Sequence, residues 1–119
     1  MNLVYKTIQR RLEKLPANTV LVYGETWGDN CGCLLAATTP GVSEETHPDY
    51  QDVLNTTVKQ FDSRDAEDLL QMLVNVYDET CNTKFGTIYA TTADWVQANF
   101  EGMAKEAEQR LASCTPYCA

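Results

Sequence analysis

From Leu15 to Val58 the chain has no lysine or arginine at all, yet six acids, Glu25, Asp29, Glu44, Glu45, Asp49 and Asp52, fall inside that window. Carboxylates without a nearby base bear on partners, steering and solubility rather than on fold. Histidine is almost absent. A Ser-His-Asp triad or a Cys-His pair would have to use His47, and no nucleophile motif flanks it. Its place beside Pro48 gives it an adequate structural role, and no catalytic residue is assigned. The six glycines match neither the dinucleotide fingerprint nor the phosphate-binding loop, and no Gly-Lys-Ser/Thr occurs, so nucleotide binding has no support. No apolar run approaches the roughly 18–20 residues of a membrane span. The first residues also lack the apolar core of a secretory signal, which predicts a cytoplasmic protein.

What is present fits one compact domain over residues 1–119, with 44% hydrophobic and 22% charged residues, close to ordinary folded proteins. The net charge of −8 is unevenly spread. Lys6, Arg10, Arg11 and Lys14 outnumber Glu13 so that residues 1–15 carry +3, and the remainder carries −11. A pI near 4.4 disfavours direct contact with nucleic acid or an anionic membrane, both of which reward clustered bases. The partner this charge suits is a basic protein.

Hydrophobic spacing predicts an α+β fold of about four helices packed on a small sheet of about two strands. Asn2 can cap a first helix with Val4, Tyr5, Ile8, Leu12 and Leu15 inward, ended by Pro16. Residues 19–23 read as a buried strand between Pro16 and Gly24. Residues 33–37 fit either a strand or a short helix, since five residues do not reveal a period. Thr46 or His47 can open a helix carrying Tyr50, Val53, Leu54, Val58 and Phe61. Asp62 or Ser63 can open another, with Ala66, Leu69, Leu70, Leu73, Val76 and Tyr77 on one face and a break around Cys81 and Asn82. The β-branched and aromatic run 85–91 suits a second strand. Thr91 with Asp94 resembles a capping box for a final helix, buried through Val96, Phe100, Met103, Ala107 and Leu111 and ended by Pro116.

Five cysteines raise a second kind of chemistry. Cys31, Cys33, Cys114 and Cys118 together offer four thiolates, the number tetrahedral zinc accepts, although one residue between Cys31 and Cys33 is closer than zinc loops normally place ligands. The same pair departs from the two-residue spacing of redox dithiols. Burial as small hydrophobes accounts for most of them, so no metal and no cofactor is assigned. Asp62, Asp65, Glu67 and Asp68 crowd a helix start, where the dipole favours them. The Glu25–Asp52 window lacks such an explanation. With Trp27 and Tyr50 among its acids, it reads as a docking surface comprising Glu25, Trp27, Asp29, Glu44, Glu45, Asp49, Tyr50 and Asp52.

Trp27, Cys31, Gly32, Cys33, Leu34 and Leu35, reading Trp-x3-Cys-Gly-Cys-Leu-Leu, resemble a run in small uncharacterised phage and prophage proteins; the likeness covers nine residues. It implies an origin, not an activity. A compact acidic domain without catalytic motifs is in turn similar to the small inhibitors that phages direct at host enzymes, some of which imitate the charge of DNA. The leading expectation is therefore a small acidic binding protein that occupies a basic, nucleic-acid-binding surface of a host protein. A cysteine-based zinc or redox module is the second reading. The third is a structural or assembly subunit, in which the basic first helix of one copy meets the acidic face of another. Net charge of this size also serves solubility alone.

Overall fold

The computed structural model describes residues 1–118, with side chains for residues 1–113. Helix α1 (Leu3–Glu13) starts where Asn2 accepts the Tyr5 N–H on its side-chain oxygen at 2.9 Å, and it buries Val4, Tyr5, Ile8 and Leu12. Strand β1 (Val20–Val22) follows, then a hairpin of β2 (Trp27–Gly28) and β3 (Cys31–Gly32), the short helix α2 (Leu34–Thr38), α3 (Tyr50–Lys59) and α4 (Ala66–Phe85). A single 3-10 turn (Gly86–Ile88) leads into β4 (Ala90–Thr92), which continues directly into α5 (Ala93–Cys118). Among the described residues no helix is long and apolar enough to cross a membrane.

β1 and β4 pair antiparallel with Leu21 opposite Thr91, and β2 and β3 pair with Trp27 opposite Gly32. Helix α4 packs along α5 and is flanked by α1 and α3, so the apolar stripes of four long helices meet in one cluster with β1 and α2. Tyr5, Ile8, Leu21, Leu34, Leu35, Leu70, Leu73 and Phe100 are fully buried there. Each large apolar side chain so buried contributes about 1.5–3 kcal/mol.

Three tyrosines enter this core and each finds a backbone carbonyl for its hydroxyl. Tyr5 donates to Leu69 at 2.6 Å, Tyr23 to Gly86 at 2.7 Å and Tyr77 to Val22 at 2.7 Å. The last bond follows from strand register. The Tyr23 N–H donates to Tyr89 and the Ala93 N–H to Thr19, so β1 turns its odd-numbered residues toward β4 and the carbonyl of Val22 away from it. Tyr77, projecting from α4, satisfies that otherwise orphaned acceptor.

The α+β class holds, while several local expectations change. Of the two forms open to residues 33–37, the short helix is the one observed, α2, with Cys33 at its N-terminal end. Helix α4 does not break at Cys81 and Asn82 but runs on to Phe85, because Cys81 lies on its buried face and tertiary packing outweighs weak local propensity. Gly86, at φ 66° and ψ −136°, ends α4 in a conformation that side-chain-bearing residues avoid. Of the expected strand 85–91 only Ala90 and Thr91 then lie in β4, which Thr92 completes. Helix α3 begins at Tyr50 rather than at Pro48, since Thr46 is engaged in its own turn, its hydroxyl 2.8 Å from that of Ser43 and 2.6 Å from His47 Nδ1. Thr92, not Thr91, bonds Asp94 at the start of α5, and that helix continues past Pro116 to Cys118.

Tyr77→Phe removes the hydroxyl and leaves the Val22 carbonyl buried without a donor, which is expected to cost about 1–3 kcal/mol of unfolding free energy. Urea denaturation checks it. Tyr50→Phe, which loses only a half-buried bond to Gln71 at 3.1 Å, is the internal control and is expected to cost less.

Candidate functional site

The loop of residues 39–49 and the β2–β3 hairpin face each other across an open groove of about 630 Å³. Val20 of β1, Trp27, Ala37 of α2 and Val42 give it an apolar lining, with Glu44 and Glu45 on the loop side. The hairpin owes its position to glycine. A Cβ on Gly32 would come within 2.7 Å of the Ala36 Cβ and 2.9 Å of the Trp27 ring, so only a residue without a side chain lets the hairpin lie this close to α2. Asn30 takes a left-handed conformation (φ 58°) in the turn, which asparagine tolerates, and leaves Asp29 exposed at the hairpin tip.

Trp27 ties the two walls together: its indole N–H donates to the His47 carbonyl at 2.8 Å. On its other side a second concavity is lined by Glu25, Asp29, Asn30 and Glu44. Four carboxylates, Glu25, Asp29, Glu44 and Glu45, thus surround one half-buried indole. Among the described residues every ion pair belongs to Arg110, which joins Glu79 and, at 3.1 Å, Glu106. Among the described residues none of these four acids has a basic partner; Glu44 and Glu45 line the groove, and Glu25 and Asp29 the concavity beside it.

The other members of the sequence-derived surface lie elsewhere. Asp49 and Asp52 are exposed at the start of α3 and line neither concavity. Tyr50 is half-buried and opens into a third cavity of about 260 Å³, which also holds Glu25, Cys33, Gln71, Asn75 and Asp78. Asp78 accepts the Gly24 N–H at 3.1 Å, and burial holds its carboxyl above the ordinary carboxylate range, with Glu79 adding to the shift and the Gly24 bond opposing it. Reasoning from sequence missed Asp78. The signal was there: Val74, Asp78 and Cys81 share one face of α4, so a carboxylate interrupts an otherwise apolar stripe.

The three described cysteines lie apart in different surroundings. Cys31 lines the groove and Cys33 the inner cavity, and both are free. Burial pushes the Cys33 thiol up despite backbone N–H groups of α2 acting the other way; burial and then Asp29 push up Cys31; burial and then Asp78 push Cys81 up to about 12. Each shift is opposite to that of an activated thiolate. The side chains of Cys114 and Cys118 lie outside the described residues, and among those described no three His, Cys, Asp or Glu side chains are grouped to hold a metal ion.

Comparison with known proteins finds no matching family model, no matching curated protein and no matching solved structure.

Alkylation of the native protein by iodoacetamide at neutral pH is expected to modify Cys31 well before Cys33 and Cys81, with all three reacting in denaturant; peptide mass spectrometry reads the order. Asp78 supplies a pH test. Its folded-state carboxyl keeps a proton to higher pH than in the unfolded chain, so the stability it lends is present at low pH and is lost as pH rises through the folded-state value. Asp78→Asn, which keeps an oxygen for the Gly24 N–H, is expected to exceed the parent in stability at neutral pH. The gap should close below about pH 4, as followed by urea denaturation across pH.

Proposed function

We propose that this chain is a small acidic binding protein whose groove, between the 39–49 loop and the β2–β3 hairpin, receives a basic segment of a protein partner. One observation carries the reading: Glu25, Asp29, Glu44 and Glu45 line the two adjoining concavities that share the half-buried Trp27, and among the described residues no base pairs with them. Lys or Arg side chains of the partner supply the missing counter-charge, and an apolar side chain rests on Val20, Trp27 and Val42. Complementary fields speed the encounter and make it sensitive to salt. Where the segment belongs to a nucleic-acid-binding surface, the carboxylates take the bases that otherwise meet phosphates. The result is competitive inhibition, as in the small acidic inhibitors to which such a domain is similar. Asp49 and Asp52, outside the groove, add only to the long-range field.

The test is titration of a synthetic peptide of alternating lysine and leucine into the protein, followed by Trp27 fluorescence in a Trp95→Phe background. Binding at low salt that weakens steadily as salt rises is expected. The triple reversal Glu25→Lys, Glu44→Lys, Glu45→Lys is expected to weaken it by about tenfold or more, equivalent to about 1.4 kcal/mol. The pair Asp49→Lys and Asp52→Lys is expected to change it far less. Equal losses from both sets, or no binding at low salt, would remove the groove from consideration.

A further inference from the structure

The exposed face of α1 has the composition the groove lacks. Leu3, Lys6, Arg10 and Lys14 recur at intervals of three and four residues, opposite the buried Val4, Tyr5, Ile8 and Leu12, and all four are exposed. Arg11, the remaining base of this region, is not part of that stripe; it is half-buried with its guanidinium 5.4 Å from the centre of the Phe61 ring. Among the described residues Lys6, Arg10 and Lys14 form no ion pair, since every pair involves Arg110. The stripe is therefore an apolar anchor followed by three unpaired cations, on a molecule whose net charge of −8 repels the polyanions such a stripe would otherwise attract.

Three of the five exposed large apolar side chains among the described residues point the same way; the other two, Ile88 and Tyr89, lie in the connection between α4 and β4. Leu3 is 75% exposed, Met1 40% and Val20 45%, and these three lie on the basic stripe, just before it and in the acidic groove. We propose that the occupant of the groove is α1 of a second copy of this chain: Leu3 enters against Val20 and Trp27, and Lys6, Arg10 and Lys14 meet Glu25, Asp29, Glu44 and Glu45. This rests on the groove reading above and names its ligand. Two different surfaces make the contact, so two copies that exchange helices close a dimer, and copies that do not exchange extend into a chain.

Sedimentation of the intact protein tests this at about 10 mM and about 1 M salt, where the screening length falls from about 30 Å to about 3 Å. A rise of about twofold or more in weight-average mass at low salt, lost at high salt, is expected. Lys6→Glu with Arg10→Glu, and separately the triple reversal Glu25→Lys, Glu44→Lys, Glu45→Lys, are each expected to give monomers, because each makes both surfaces of one molecule alike in charge. Mixing the two variants pairs an acidic helix with a basic groove and a basic helix with an acidic one, and is expected to restore assembly. Far-UV circular dichroism confirms that each variant is folded, and Leu3→Asp, which removes the anchor at an exposed helix start, is a milder variant expected to weaken assembly as well. A monomer at every salt concentration, or variants whose mixture stays monomeric, would overturn the proposal. If the monomer still binds the lysine-leucine peptide, the groove reading survives without it; if it does not, both fail.

Discussion

The hydroxyl of Tyr77 donating to the carbonyl of Val22 is the contact on which the rest of the molecule hangs. A two-stranded sheet of three residues per strand is marginal by itself. What fixes β1 is the attachment of its outward carbonyl to α4, the helix that also packs against α1, α3 and α5. From β1 the dependence runs outward. Val22 lies so close beneath Gly28 that a Cβ there would meet its Cγ1 at 2.7 Å, so the position of β1 sets that of the hairpin. The hairpin presents Trp27, and Trp27 holds the loop that carries Glu44 and Glu45. A surface groove is thereby referenced, through a few contacts, to the centre of the helical core.

Electrostatics divides the chain into two economies. Inside, polar groups are matched almost one to one: three tyrosine hydroxyls have carbonyl acceptors, and the hydroxyls of Thr39 and Thr57 meet at 2.8 Å. Outside, among the described residues, the acids of the loop and hairpin region form no ion pair. Because each buried polar group would cost more unpaired than it returns when paired, matching in the core is the rule, and among the described residues the Thr91 hydroxyl and one guanidinium nitrogen of Arg11 are the buried atoms left without a partner. The exposed acids carry no such obligation, since water solvates them. Their arrangement around one indole rather than evenly over the surface is what gives the groove its character.

Helical stripes were legible in the sequence because a period near 3.6 persists over three or more turns in α1, α3, α4 and α5. The stretches read less well are those where a single residue decides. Residues 85–91 have the composition of a strand, yet Gly86 turns the chain out of α4 so abruptly that only Ala90–Thr92 reaches β1. Cys81 and Asn82 look like a helix end, and the burial of Cys81 against the core keeps α4 going. In the site, the run of acids with Trp27 among them marked the region, but nothing in linear spacing tells that Glu44 returns to Trp27 while Asp49 and Asp52 point elsewhere. That separation depends on the hydrogen bond from Trp27 to His47, a contact between residues of two loops that no pattern announces. Asp78 shows the converse. It was visible as a charge on an apolar stripe, and its meaning required the cavity around it.

The same indole-to-carbonyl bond has a kinetic consequence. A loop of residues 39–49 left untethered would sample many shapes, and a ligand would have to wait for the open one or impose it, losing conformational entropy at each encounter. Anchored at His47, the loop is held against the hairpin, so in the binding reading proposed above collision frequency, rather than the rate of a gate, sets how fast a partner enters the groove.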